Sequence, residues 1–168
     1  KVPPPTGNLD APLRALIFDS YYDRYRGAIP SIRVVDGVLK PGMQITFGAN
    51  DARYAVSEVG SLMLRQVKGE QLAAGEVGYV VANVRTVKET RAGDTIFDAN
   101  NHASDPLPGY KDVHSMVFAG IYPTDTTQYE SLRDALSKLQ LNDASLNYEP
   151  ETSTALGFGF RCGFLGLL

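Results

Sequence analysis

The 168 residues predict a mostly β chain in two parts. The first is a small closed β-barrel, and the second is a partial α+β domain of β-α-β-β (ferredoxin-like) order. Three observations carry this. Residues 11–98 break into short β-rich runs with turn signals about every 8–12 residues and no helical period. Residues 100–110, "NNHASDPLPGY", turn polar and rich in Pro and Gly. Beyond them one segment acquires helical spacing between two β-rich ones.

The elements follow in order. "VPPPTG" (residues 2–7) reads as a semi-rigid polyproline connector. "RALIFDSYYD" and "AIPSIRVVDG" read as the first two strands. In "VVDGVLKPGMQITF", Pro41 sets φ for the first turn position, and Gly42 supplies the positive φ that a type II turn needs next. "AGEVGYVVANV" is apolar enough for a strand covered on both faces. Residues 68–74 have room for a short turn and not for a helix. "RAGDTIF" repeats the turn-then-strand pattern.

After the polar segment, "SMVFAGIYP" reads as a strand ended by proline. Residues 124–143 form the one clear helical pattern, with Tyr129, Leu132, Leu136 and Leu139 expected on one face. Thr127 and Glu130 have capping-box spacing, with Asp125 as the competing N-cap. Glu130 and Asp134 are placed to pair with Arg133 and Lys138. "ASLNYEPE" and "LGFGFRC" read as two further strands, the second ending at a turn at Gly163 and Gly166. Its phenylalanines are expected beneath the helix. Leu167 and Leu168 are expected to open a second helix, which with a fourth strand would complete the domain.

Composition limits the chemistry. A 43% apolar and 21% charged chain with no stretch approaching about 20 apolar residues is that of a soluble globular protein. One cysteine excludes an internal disulfide and fits a cytoplasmic setting. Nineteen acidic against 16 basic residues provide no general field for nucleic acid, so RNA binding requires a local patch. "YYDRYRG" is such a patch: Arg24 and Arg26 are placed for phosphates, and Tyr22 and Tyr25 for sugars or bases. Arg33, Lys40 and Arg53 are candidates for the same surface.

Catalytic readings find little support. "GFGFRCG" places its last glycine one residue late for the dinucleotide pattern, and the chain has no Gly-Lys pair for a Walker loop. A strand with one aromatic face and one glycine face suits the segment better. A nucleophilic Cys162 needs a base, and His102 and His114 are remote in sequence. Two isolated histidines make no metal site. Asp143, Glu149 and Glu151 read as solvated carboxylates on turns and edges.

Seven blocks of sequence support a sharper identification. "APLRALIFDSYYDRYRG", "RVVDGVLKPGM", "AGEVGYV", "PLPGY", "MVFAGIYP", "YESLRDALSKLQLNDASLNYEPETS" and "ALGFGFRCGFLGLL" together resemble the LepA (elongation factor 4) family of translational GTPases. The barrel blocks recur across translational GTPases, whereas those after Pro106 are particular to this family. The resemblance implies a linker at 1–7 from a missing GTPase domain. It implies a translation-factor-type barrel (domain II) at 8–105 and a truncated ferredoxin-like domain III at 106–168.

The resemblance also implies a parent that hydrolyses GTP with Mg2+ on the ribosome and back-translocates tRNAs. This chain carries no Walker loop, switch region or guanine-reading motif, so no catalytic, GTP-binding or metal residue is carried onto it. Its implied partners are small-subunit ribosomal RNA, a decoding-side ribosomal protein and the GTPase domain in cis, with tRNA reached through absent domains. Arg24, Arg26 and Lys40 are the residues implied to face RNA. The implied location is cytoplasmic, with peripheral association of the parent on the inner face of the bacterial plasma membrane. Three other readings remain open: the same region of a factor related to elongation factor G, a stand-alone RNA-binding barrel, and a Cys-dependent hydrolase using Cys162 and His114.

Overall fold

The computed structural model describes residues 3–48, 52–85, 89–109, 115–143 and 146–166. His114, the base expected for Cys162, and Leu167 and Leu168, the expected start of a second helix, lie outside the described residues. The chain divides into two compact units, Lys1–Tyr110 and Lys111–Leu168. The cut falls five residues beyond the expected boundary. Leu107 stays with the first unit because its N–H donates to Thr95 Oγ1 at 3.0 Å.

The first unit begins with β1 (Arg14–Asp23) and β2 (Gly27–Asp36), antiparallel partners along their length. Register shifts at Arg14/Ala15 and Ile17/Asp19 bend the pair, as bulges do. Then follow β3 (Val38–Leu39), β4 (Gln44–Phe47), β5 (Arg53–Ala55), β6 (Glu58–Leu62), β7 (Gln66–Gly69), β8 (Leu72–Ala73), β9 (Val77–Val81) and β10 (Thr95–Asp98). Eight strands form one antiparallel sheet in the order β5-β4-β10-β1-β2-β9-β6-β7, and β3 pairs with β8. Residues 68–74, expected as a turn, supply the end of β7 and all of β8.

The sheet curls around Ala15, Ile17, Ile32, Val34, Leu39, Ile45, Val59, Val80 and Ile96, all fully buried. Strand β9 is covered on both faces. Val80 enters that core, while Tyr79 and Val81 join Ile29 and Tyr21 in a second cluster on the opposite side. Gly42 takes φ 87°, as the type II turn demands. In the expected linker, Pro5 lies against Gly75, whose added Cβ would meet Pro5 Cγ at 2.5 Å.

The second unit consists of β11 (Val117–Ile121), α1 (Tyr129–Asn142), β12 (Asn147–Ser153) and β13 (Gly157–Phe164). Its sheet order is β11-β13-β12. Helix α1 covers one face, where Tyr129, Leu132 and Leu136 pack with Phe160, Cys162 and Phe164. Tyr129 and Phe160 stack at 4.7 Å.

Four local expectations are corrected. Leu139 is 47% exposed and does not share the core face. Ten residues beyond Tyr129, at about 100° each, leave it about 80° short of a full turn. Gln140 points inward instead, donating to the Leu146 carbonyl at 2.8 Å. The start is capped by Asp125, whose Oδ1 accepts from Thr127 N at 2.9 Å and from the Thr127 hydroxyl at 2.8 Å. That leaves Thr127 a donor within a short 3-10 turn, Thr126–Gln128, and Glu130 pairs with Arg133 at 2.5 Å. Finally, Gly163 is no turn residue. It pairs with Phe118 and Asn147 inside β13. Phe160 and Phe164 fill the core, while Phe158, near the start of the strand, is 65% exposed.

Candidate nucleic-acid interface

The β1–β2 turn is built by its own sequence. Asp23 Oδ1 accepts from the backbone N–H groups of Tyr25 at 2.8 Å and Arg26 at 2.9 Å. These bonds, with the nearby Arg26 charge, hold the Asp23 carboxyl below its usual range. Gly27 then takes φ 76°, and an added Cβ would meet the Val84 carbonyl oxygen at 2.4 Å. Arg24 and Tyr25 are thereby displayed at the tip, with Tyr25 95% exposed.

Arg26 has a different role from Arg24. Its guanidinium donates to Gln66 Oε1 at 3.1 Å and lies 3.5 Å from Asp23 Oδ2 and 3.9 Å from Glu58 Oε1. Gln66 in turn donates to the Tyr21 hydroxyl at 2.5 Å. Arg26 therefore ties the β1–β2 turn to the β6–β7 hairpin, and its charge is answered by two carboxylates. Arg24 is exposed and makes no ion pair among the described residues.

The other expected cations lie elsewhere. Lys40 is exposed beyond the C-terminal end of β2, whereas Arg24 precedes its N-terminal end. Ten residues of strand, about 30 Å at about 3.3 Å each, separate the two. Arg33 on β2 and Arg53 on β5 are separated by β1, β10 and β4, about 19 Å across the sheet at about 4.8 Å per strand. Arg24 and Lys40 therefore stand at opposite ends of β2.

The feature missed from sequence is the β6–β7 tip. Leu62 is 40%, Met63 73% and Leu64 109% exposed, and Arg65 and Lys68 are exposed beside them. The Met63 N–H donates to the Arg65 carbonyl at 3.1 Å, closing the tip. The signal available in "SLMLRQ" was an apolar run without alternation, followed directly by Arg-Gln. The hairpin folds back over Tyr79. A Cβ on Gly60 would meet the Val67 carbonyl oxygen at 2.3 Å and the Tyr79 ring at 2.7 Å. The Tyr79 hydroxyl donates to Glu58 Oε1 at 2.7 Å.

The remaining candidates are structural. Cys162 is fully buried, and burial pushes its thiol pKa up, opposite to what a nucleophile needs. His102 stacks on Phe97 at 4.1 Å. A depression of about 180 Å³ lies on the sheet face of the second unit, lined in part by Phe118, Glu149 and Arg161. There Arg161 sits 4.8 Å over the Phe118 ring and 4.0 Å from Glu149 Oε1, so its charges answer one another.

The described residues do not fit GTP and Mg2+. The glycine-rich segment lies in a strand, paired with β12 from Gly157 to Gly163 and with β11 from Phe160 to Phe164, and not in a loop before a helix where amides converge on a phosphate. No group of three or more His, Cys, Asp or Glu placed for a metal occurs among the described residues.

Residues 27–97 match the family model described as elongation factor Tu domain 2. Two curated proteins called elongation factor 4, from Streptococcus gordonii and Streptococcus suis, are 58% and 59% identical to the chain over 168 residues. The chain matches elongation factor 4 along its whole length. It covers 28% of the length of these elongation factor 4 proteins. A crystal structure of a Thermus thermophilus protein shares the fold at TM-score 0.70 and 22% identity, over 94% of this chain and 23% of that one. The elongation factor Tu domain 2 match begins at Gly27, closing the β1–β2 turn, and takes in the whole β6–β7 hairpin.

Proposed function

We propose that this chain is the ribosome-docking, signal-transmitting part of a LepA-type factor whose full-length form hydrolyses GTP and back-translocates tRNAs. The whole-chain match to proteins called elongation factor 4 supports the assignment. The observation that carries the docking role is Arg24, displayed by the Asp23 turn with no ion pair among the described residues. It contacts small-subunit RNA phosphates, and Arg26 holds it in place. Lys40 belongs to a separate contact at the other end of β2. The second unit faces a decoding-side ribosomal protein.

GTP and Mg2+ belong to the GTPase domain of the parent, and tRNA is met by its other domains. The parent is cytoplasmic, with peripheral association at the inner face of the plasma membrane. This chain contributes no catalysis.

Sedimentation of the chain with purified small ribosomal subunits over a salt series tests the reading. Binding that weakens steeply as salt rises is expected. Affinity indifferent to salt, or nucleotide hydrolysis that persists through purification of the chain, would contradict it.

A further inference from the structure

The proline connector is seated on the barrel. Its seat is the C-terminal end of β2 together with the turn from β8 into β9. The Gly75 N–H donates to the Val34 carbonyl at 2.8 Å and pins that turn to β2. Glu76 Oε2 closes the turn, accepting from Ala73 N at 2.7 Å. Pro5 lies on Gly75, and Gly7 lies on Val35 and Ala74. A Cβ added to Gly7 would meet the Val35 carbonyl oxygen at 2.4 Å and the Ala74 Cβ at 2.6 Å. Asn8 is fastened twice. Its N–H donates to Asp36 Oδ1 at 3.2 Å, and its carbonyl accepts from the Gly37 N–H at 2.8 Å. The other Asp36 oxygen accepts from Arg14 Nε at 3.0 Å and from Arg14 Nη2 at 2.5 Å. One carboxylate thus joins the connector, β1 and β2.

Residues 3–10 are exposed, so the connector buries little and rests on a few contacts. A proline run keeps its extended shape without internal hydrogen bonds. A stiff strap held this way lifts as a unit, at far lower cost than opening the barrel core. We propose that residues 3–8 form a latch that closes on β2 and the β8–β9 turn, and that in the parent the closed latch carries the state of the GTPase domain into the barrel through Asp36. This rests on the signal-transmitting role proposed above and names the residues that carry the signal. With the latch closed, a displacement of the strap moves Asn8 and, through Asp36, draws on β1 and β2. With the strap lifted, the same displacement is absorbed at Gly7.

Hydrogen exchange of the 168-residue chain, read at the Asn8 and Gly37 amides, tests the latch. Gly7 has no positive φ, so Gly7→Ala suits a lifted strap and collides only in a closed one. Pro5→Gly loosens the strap without a collision. Both variants are expected to speed exchange at these two amides about tenfold. Exchange at the Ile17 amide, which donates to the Asp94 carbonyl at 2.9 Å, and the melting temperature are expected to stay unchanged. Unchanged exchange at Asn8 and Gly37 in either variant overturns the latch. So does exchange that rises equally at Ile17, because the strap would then open only with the barrel. The same substitutions in the full-length parent test the coupling. Hydrolysis of GTP stimulated by ribosomes is expected to fall about tenfold, with hydrolysis in their absence unchanged. Unchanged stimulation with a loosened strap overturns the coupling and leaves the docking reading standing. A parent that hydrolyses no GTP on ribosomes removes the proposed function as well.

Discussion

Arg26 reaches from the β1–β2 turn to Gln66 on the β6–β7 hairpin, donating from Nη2 to Oε1 at 3.1 Å. The bond separates two arginines that look equivalent in "DRYRG". Arg24→Gln is expected to weaken binding to small subunits, lower the salt slope by about one, and leave the melting temperature unchanged. Arg26→Gln is expected to cost about 0.5–1 kcal/mol of stability, because a partly exposed bond linking two hairpins is lost. A salt series and a thermal melt on each variant check the contrast. Equal behaviour of the two would show that the Gln66 bond does not distinguish them.

Gly60 and Gly69 sit on the two strands of the same hairpin and predict opposite outcomes. An added Cβ at Gly60 meets the Val67 carbonyl oxygen at 2.3 Å, whereas at Gly69 the nearest atom is 3.7 Å away. Gly60→Ala is expected to destabilise the chain by roughly 1–3 kcal/mol, as overpacking does. Gly69→Ala is expected to fold with little change. Denaturant midpoints of the two variants measure this directly.

Tyr79 and Asp36 are among the groups that shape stability at the two ends of the pH range. Burial first, then the hydrogen bond to Glu58, pushes the Tyr79 hydroxyl pKa up to about 12 from 10.0. A raised pKa means that the stability tied to the neutral phenol is fully present below pH 10 and is lost as pH climbs from 10 toward 12. Tyr79→Phe should reduce that slope and leave the share of Tyr54, whose hydroxyl pKa burial and then Glu89 likewise push up to about 12. At the acid end, the Arg14 guanidinium and then the Asn8 N–H hold the Asp36 carboxyl below 3.8. A lowered pKa means that this stability is present above about pH 4 and is lost as pH falls through the folded value. Asp36→Asn should flatten the acid limb, as read by melting temperature against pH.

Cys162 is buried between the sheet and α1 of the second unit. Its reaction with a thiol reagent is expected to be slow and to accelerate only with denaturant. Cys162→Ser, which places a hydroxyl in an apolar core, should cost about 1–3 kcal/mol. A fast-reacting thiol in the native chain would contradict this packing and restore the nucleophile reading.

Much of the framework was legible because local chemistry and tertiary structure agree. β1 runs over Arg14–Asp23, the stretch its β-rich composition marks, and Gly42 has the φ its turn type demands. Leu139 was misplaced because spacing alone does not say how wide a strip the sheet covers, and here the strip stops short of it. Gly163 was taken for a turn because glycine in a strand leaves no local mark. Its reason is tertiary: Ser115 and Phe118 occupy the space where a side chain would stand. The site was half legible. A basic-aromatic turn can be read from "YYDRYRG", but which arginine is bound inward depends on Gln66, 40 positions away. The apolar tip resembles core in sequence and becomes surface only because the hairpin closes between Met63 and Arg65.

The most direct measurement of the central claim is the affinity of this chain for purified small ribosomal subunits as a function of salt, with and without Arg24→Gln. Salt-sensitive binding whose slope falls by about one on loss of Arg24 is the predicted result. Binding that ignores both salt and Arg24 would contradict it.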